Sequence, residues 1–374
     1  MTKYSFLLLC ATLGGLSSPV LAEELLSAPN PARAGATRAA YAEGQAFFAN
    51  DVVPLSQVNK DWSQGYHPRE GKNLALISTR VETGVQWQGF RLGYISRNEW
   101  MATANRDSLD IVRADRQNAN YDNGRNYSID YRLRGFAADG ARLTKSFSND
   151  LGSGWTLGWG AAASALRGRR VRSEDIAGSA TATGGRNFTA TVDWTRDYSH
   201  TDTVAEGYVA AFRDGSPTGQ GYSADLGISL GRQDGLRAEW TATDAFGRMS
   251  WRDIPEKTLS GSNLPGAALP GGRKVRVDLT QSLPVKHALS VSIPTSVADV
   301  EVADTFFQGM HLPRIGLSKH IGADWTTRLD YDFRFSTVGL GLSYRWLYLN
   351  VRSDSLSLDK ARAFGFGIGA RLEF

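Results

Sequence analysis

The side chains best suited to chemistry in this sequence are arginines that stand close to carboxylates. Thirty-three of the 42 basic residues are arginine, and many lie two positions from an acid. Residues i and i+2 of a β-strand share a face, so each such pair would lie side by side. Two interpretations stay open: fixed charges that orient a solute in a channel, or ion pairs that brace a wall. The pairs are Arg80/Glu82, Asp130/Arg132, Arg237/Glu239, Arg276/Asp278, Arg328/Asp330, Asp332/Arg334 and Arg371/Glu373.

Enzymatic chemistry finds little support in the sequence. The five histidines are scattered along the chain. The nearest hydroxyl partner pairs His287 with Ser290, and a separation of three places the two on opposite faces of a strand. The sequence contains no glycine-rich phosphate loop, zinc-ligand spacing or calcium loop. We therefore expect a protein that is not an enzyme and that holds neither a metal nor a cofactor.

Composition excludes several classes of protein. The chain has 374 residues, a net charge of +4 and a mean hydropathy of −0.31, which excludes a helical membrane protein. The 42 basic residues are nearly balanced by 38 acidic ones, which argues against a nucleic-acid partner. A single cysteine excludes a disulfide scaffold.

The first 22 residues have the pattern of a secretory signal peptide. Lys3 precedes an apolar stretch over 4–16, and small or modest residues favour cleavage after Ala22. The apolar stretch is shorter than the roughly 18 residues that a membrane-spanning helix needs. We therefore expect an exported mature chain that begins at Glu23 and contains no cysteine.

The rest of the chain alternates with period two. In the final segment, 363–374, apolar side chains occupy one face while glycine, Arg371 and Glu373 occupy the other. Segment 325–335 repeats the pattern. The alternation recurs too often, and its polar face is too charged, for a dry two-sheet sandwich. Alternating segments of about 10 residues between turns are typical of a transmembrane β-barrel, which must close because lipid cannot satisfy an open strand edge.

The signal peptide and the final strand ending in Phe374 together resemble those of Gram-negative outer-membrane β-barrel proteins. The resemblance covers the mature chain as a class and identifies no specific family. It implies a place in the cell outer membrane, contact with its lipid and recognition of the last strand by the barrel-assembly machinery. The assembly signal would comprise Phe364, Phe366, Ile368, Leu372 and Phe374.

The alternation predicts an all-β antiparallel barrel of about 16 strands over residues 72–374. The number becomes 14 if 126–148 forms one strand and 74–103 is interpreted differently. An even number keeps both termini on the periplasmic side. The expected extracellular loops are 168–186, 248–272, 298–311 and 356–362.

Residues 23–71 would precede the barrel. Segment 34–50 can form a short amphipathic helix. The whole segment would either plug the lumen or pack loosely in the periplasm.

The polar face of the strands would line a polar, arginine-rich channel or transporter for small solutes, because a barrel of about 16 strands is too wide for side chains to fill. The alternatives are a non-conducting structural, assembly or export-associated barrel, and a plugged transporter of hydrophobic substrates. The oligomeric state stays open. The face 328–334 and Arg345 would form the constriction or its bracing. The expected lining is Arg132, Arg237, Glu239, Arg276, Asp278, Arg328, Asp330, Asp332, Arg334, Arg345 and Arg371.

Overall fold

The computed structural model describes residues 25–35, 37–199, 219–265 and 273–374. The predicted strand 203–213 lies outside these residues. Sixteen strands are present in the described part of the chain. They are β1 (Ala39–Asn50), β2 (Asn73–Trp87), β3 (Phe90–Ala104), β4 (Asn126–Gly152), β5 (Trp155–Gly184), β6 (Asn187–Tyr198), β7 (Gly219–Arg232), β8 (Arg237–Pro265), β9 (Arg273–Ser282), β10 (Lys286–Ile293), β11 (Asp299–Phe307), β12 (Met310–Ile321), β13 (Trp325–Asp332), β14 (Thr337–Tyr344), β15 (Leu347–Ser353) and β16 (Ala363–Glu373).

Helix is scarce in the described ranges. One α-helix, α1 (Arg106–Arg116), follows β3, and short 3₁₀ turns cover Pro31–Arg33 and Leu55–Gln57. Asn105 caps α1 because its side chain accepts a hydrogen bond from the Ser108 backbone. No helix in the described residues has the length and apolar character needed to cross a membrane.

Fourteen strands close into an antiparallel ring. The ring runs β1-β2-β3-β4-β5-β7-β8-β10 and continues in chain order to β16, which pairs with β1 from Ala39↔Glu373 to Ala49↔Ala363. The smaller of the two predicted counts is therefore confirmed for the closed barrel. One reason is that the predicted strands 126–136 and 140–148 are both parts of β4.

The two remaining strands lengthen the wall on one side. The first half of β5 pairs with β7 and its second half with β6, so β6 and β7 lie at the same place in the wall, one above the other. β8 pairs with β9 and β10 in the same manner. We call β6, β9 and the adjoining parts of β4 (126–135), β5 (172–184) and β8 (248–265) the tall wall. We take the end of the barrel that holds Ala39 and Glu373 as periplasmic, and the tall wall then rises on the extracellular side.

Three of the four predicted extracellular loops are mostly strand. Residues 168–184 continue β5 and residues 248–265 continue β8 into the tall wall, while 299–307 form the wall strand β11. Segments 168–184 and 248–262 lack the outward apolar pattern because a wall above the membrane meets water rather than lipid. Loop 356–362 lies between β15 and β16, as predicted.

The predicted helix over 34–50 is wrong. Residues 39–50 form β1, which pairs along its length with β16 on one edge and with β2 on the other. The wall therefore begins at Ala39 rather than at 72. Alanine favours helix locally, but without β1 the edges of β2 and β16 would stay open, which the membrane does not allow.

Within the ring, apolar side chains face outward and polar ones face inward. Val81 and Val85 of β2 are 53% and 43% exposed, while Arg80 and Glu82, on either side of Val81, are 6% and 1% exposed. Aromatic pairs lie at the periplasmic ends of the strands, as in the stacked Trp87 and Phe90 beside the β2–β3 turn. That turn has two residues, and Gly89 supplies the positive φ of 76° that it requires.

Candidate functional site in the barrel lumen

Residues 25–35 lie inside the ring, and we call them the lumen segment. Its first residues, Leu25 and Leu26, are 3% and 8% exposed. They pack into a cluster of inward side chains near the extracellular ends of the strands, so the lumen segment reaches most of the way across the barrel. The cluster also contains Phe47, Ala49, Leu74, Leu76, Met101, Phe307, Met310, Leu312, Phe335 and Ala363; we call it the apolar cluster.

Hydrogen bonds tie the rest of the lumen segment to several strands of the wall. The Ala28 backbone donates to Thr243 Oγ1 on β8 at 2.9 Å. Asn30 Nδ2 donates to the carbonyl of Ile228 on β7 at 3.2 Å. Near the periplasmic end, Arg33 forms an ion pair with Glu239, with 2.6 Å between Nη2 and Oε2. Polar groups of Ala28, Asn30 and Arg33 thus have partners in the wall, as a buried segment requires.

Glycines on the inner face of β5 and β7 make room for the lumen segment. A Cβ at Gly227 would meet Asn30 Oδ1 and would come within 2.8 Å of Pro31 Cδ. A Cβ at Gly231, four residues along the same strand, would meet nothing within 4 Å. The need for glycine at 227 therefore comes from the lumen segment rather than from the strand.

A network of buried charges lies at the middle height of the lumen. Arg97 Nη1 and Nη2 donate to the two carboxylate oxygens of Asp244 at 2.8 and 2.6 Å. Arg97 also contacts Glu99 at 2.5 Å, and Lys286 Nζ donates to Glu99 Oε2 at 2.6 Å. Bidentate hydrogen bonds between a guanidinium and a carboxylate are among the stronger hydrogen bonds in proteins.

A backbone irregularity in β8 turns Asp244 toward this network. Strict alternation would place Asp244 on the outer face, opposite to Thr241 and Thr243. Its φ of 57° lies in the left-handed region, and its side chain is fully buried. β-Bulges and similar irregularities redirect side chains in this way.

A second group of charges joins the first through Asp225 on β7. Asp225 Oδ1 accepts the backbone N–H of Asp244 at 2.9 Å, and its Oδ2 accepts Arg142 Nη2 at 2.8 Å. Arg142 reaches Glu82 at 3.5 Å, and Glu82 also accepts Arg80 at 2.8 Å. These charges neutralise one another across the lumen. They offer little free positive charge to a passing anion.

The predicted face of β13 does point inward. Leu329 and Tyr331 are 47% and 37% exposed on the outer surface, whereas Arg328 and Asp330 are 8% and 2% exposed. Arg328 Nη2 donates to Glu301 Oε1 at 2.5 Å. Arg328 thus pairs with a carboxylate on β11, two strands away, which resembles bracing of the wall more than an open lining.

Other predicted lining residues have different places. Asp332 is 3% exposed, and its Oδ1 accepts a hydrogen bond from the backbone N–H of Phe335. Arg334 pairs with Asp51 at 2.5 Å near the extracellular rim. On the tall wall, Arg276 and Asp278 face away from the interior.

The tall wall reverses the polarity of the membrane part. Val277 and Leu279 of β9 pack inward against a buried cluster that includes Trp251, whereas Arg276, next to Val277 in the strand, is exposed and pairs with Asp253. Arg132 likewise faces outward, toward Asp175 at 3.0 Å. The prediction that Arg132, Arg276 and Asp278 line the lumen is therefore wrong. It assumed lipid outside the wall, whereas water there favours charged side chains on the outer face.

The remaining four predicted lining residues meet at the periplasmic end of the lumen. There they border a cavity of about 370 Å³, which we call the periplasmic vestibule. The lumen segment forms one side of it through Pro29 and Arg33. The four predicted residues on its wall are Arg237, Glu239, Arg345 and Arg371.

Sequence reasoning missed the charges at the centre of the network. Arg97 and Glu99 stand two positions apart on an alternating strand, so the same spacing rule would have found them. Asp244 gave no such signal, since its orientation depends on the left-handed backbone.

The closed ring, the apolar outer belt and the charged interior occur together in one structure. Only lipid around the wall favours apolar side chains on the outside and charged side chains on the inside, and only a closed sheet leaves no unpaired strand edge in that lipid. The chain is an outer-membrane β-barrel. The resemblance inferred from the signal peptide and Phe374 is thereby confirmed at the level of class and location.

Comparison with solved structures finds other barrels of low sequence identity. The chain is similar to the deltaS2S3 mutant of the TodX monoaromatic hydrocarbon channel, with a TM-score of 0.45 and 11% identity over 92% of this chain and 93% of that one. It is similar to a Pseudomonas aeruginosa FadL homologue, with a TM-score of 0.40 and 10% identity over 90% of each chain. For the Pseudomonas putida toluene transporter TodX the TM-score is 0.37 at 12% identity, over 91% of this chain and 90% of that one. No protein-family model and no curated protein matches the chain.

Proposed function

We propose that this barrel is a gated transporter for small solutes and that the lumen segment closes it at rest. The observation that carries the proposal is the position of residues 25–35 inside the ring, bonded to β7 and β8. Gly227 leaves the space that Asn30 and Pro31 of this segment occupy. The segment and the buried charge network together obstruct the lumen.

The polarity of the lumen favours a solute with an apolar body. A solute that enters from the extracellular side meets the apolar cluster, to which the lumen segment contributes Leu25 and Leu26. The charges at middle height are paired with one another, which disfavours a permanently open, arginine-lined anion channel. We therefore favour the plugged transporter over the open polar channel.

Deleting residues 25–35 tests the gate while leaving β1 in place. In planar-bilayer recording we expect no ionic current through the full-length protein and a stable conductance from the deletion variant. A larger deletion that included 39–50 would remove a wall strand and would test folding instead. Heat-modifiable mobility on a gel checks that the deletion variant still forms a barrel.

A single substitution provides a finer test with a matched control. Gly227→Ala places a methyl group against Asn30 and Pro31, whereas Gly231→Ala places the same group in open space on the same strand. We expect Gly227→Ala to raise the open probability and Gly231→Ala to leave it unchanged. Continued silence from both the deletion variant and Gly227→Ala, in folded barrels, would favour the non-conducting structural barrel.

A further inference from the structure

The periplasmic vestibule carries an excess of positive charge. Five arginines and two glutamates border it, a formal excess of three positive charges. Its volume of about 370 Å³ is within the range of small-molecule sites, roughly 300–1,000 Å³. The arginines come from the lumen segment and from several strands around the ring, so they converge on a shared space. They are Arg33, Arg91, Arg237, Arg345 and Arg371.

The two carboxylates of the vestibule pair closely with only two of these arginines, and one pair is Glu43 with Arg91 at 2.9 Å. Glu239 is bound closely by Arg33, and its contact with Arg237 is long, at 3.8 Å. The side chain of Arg237 is 50% exposed. Arg237 is therefore well placed to bind an anion in the cavity.

Two more arginines are oriented by acids that do not border the vestibule. Arg345 pairs with Asp324 at 2.8 Å, and Arg371 pairs with Glu373 at 3.0 Å. Asp324 lies in the periplasmic turn before β13, where the hydrogen bond from Arg345 holds the pKa of its carboxyl below the usual range. An acid outside the cavity fixes a guanidinium in orientation and leaves the cavity side to a ligand.

The vestibule also offers flat apolar surface. Tyr348 borders it from β15 and lies against Gly369, which has no side chain to displace the ring. Pro29 adds apolar contact from the lumen segment. Such surfaces suit a planar organic body better than a bare inorganic ion.

We propose that the periplasmic vestibule binds a small organic anion, with its carboxylate on Arg237, the positive charge of Arg371 on the opposite side of the ring, and a planar apolar body against Tyr348. The fork of donors on arginine matches the two oxygens of a carboxylate. The proposal concerns binding and holds whether or not the lumen segment acts as a gate.

Isothermal titration of the full-length barrel in non-ionic detergent tests the site with named probes. Benzoate carries the proposed carboxylate and ring, benzamide has the same shape without the charge, and inorganic phosphate has charge without the ring. We expect benzoate to bind at least tenfold more tightly than either of the others. Equal binding of benzoate and benzamide would overturn the anion site, and phosphate as tight as benzoate would overturn the preference for a planar body.

Three variants locate the binding. Arg237→Gln combined with Arg371→Gln should weaken benzoate at least tenfold, and Arg276→Gln, on the outer face of the tall wall, should leave it unchanged. Glu239→Gln should tighten it severalfold, because it removes a carboxylate that competes for Arg33 and Arg237. Weaker binding in a folded Glu239→Gln barrel, or full binding in the double variant, would contradict the assignment. Heat-modifiable mobility verifies folding of each variant. All titrations use the full-length barrel, because the lumen segment contributes Pro29 and Arg33 to the vestibule.

Discussion

Asp244→Asn should destabilise the barrel by removing one charge from the centre of the lumen. Asp244 is fully buried, accepts two hydrogen bonds from Arg97, and accepts another from Ser223 Oγ at 2.5 Å. Breaking a buried ion pair from one side costs about 3–5 kcal/mol, because the remaining charge stays buried and uncompensated. Glu99 still contacts Arg97 at 2.5 Å. We therefore expect a loss near the lower limit, about 3 kcal/mol of unfolding free energy.

Asparagine is chosen because it tolerates the left-handed backbone at 244 and keeps the shape of the side chain. Asp253→Asn is the matched control: its φ is 52°, its partner is Arg276, and its side chain is 72% exposed. Exposed pairs contribute about 0–1 kcal/mol. The measurement is urea-driven unfolding in phospholipid vesicles, followed by tryptophan fluorescence. Equal losses at 244 and 253, or a loss below about 1 kcal/mol at 244, would refute the role assigned to the buried network.

Three further predictions concern assembly, pH and selectivity. Phe374→Ala should lower the level of folded barrel in cells, since the exposed Phe374 ring serves assembly rather than the lumen; an unchanged level on heat-modifiability gels would contradict this. On the tall wall, burial and then the neighbouring Glu256 raise the pKa of Asp197 to about 6, so its contribution to stability is full below about pH 4 and is lost as pH rises through 6. Asp197→Asn should therefore slow proteolysis of the tall wall at pH 7 and change little at pH 4. Arg328→Ala should lower thermal stability, because it removes the ion pair with Glu301. It should not shift ion selectivity in the deletion variant that lacks 25–35. A shift in selectivity with unchanged stability would instead support a constriction at this residue.

The alternation of the sequence was sufficient to predict the class of fold. Lipid requires an apolar side chain at every second position of a spanning strand, and this requirement is local, so it is visible in segments such as 325–335. It also predicted that Arg328 and Asp330 face inward. The short turns between consecutive strands could also be predicted, because only residues that are adjacent in the chain form them. The same rule gave wrong orientations in the tall wall, because it assumes lipid where the structure has water.

The sequence by itself thus determined the membrane barrel and the inward faces of its clearest strands. Tertiary structure alone decided the rest, since closure and packing join residues that are far apart in the chain. β1 is a strand because β2 and β16 need a partner, whatever the local preference of its alanines. Arg97 and Asp244 are 147 residues apart and meet only after the ring has closed. The place of the lumen segment follows from the same closure, because only a complete ring encloses the space that residues 25–35 occupy.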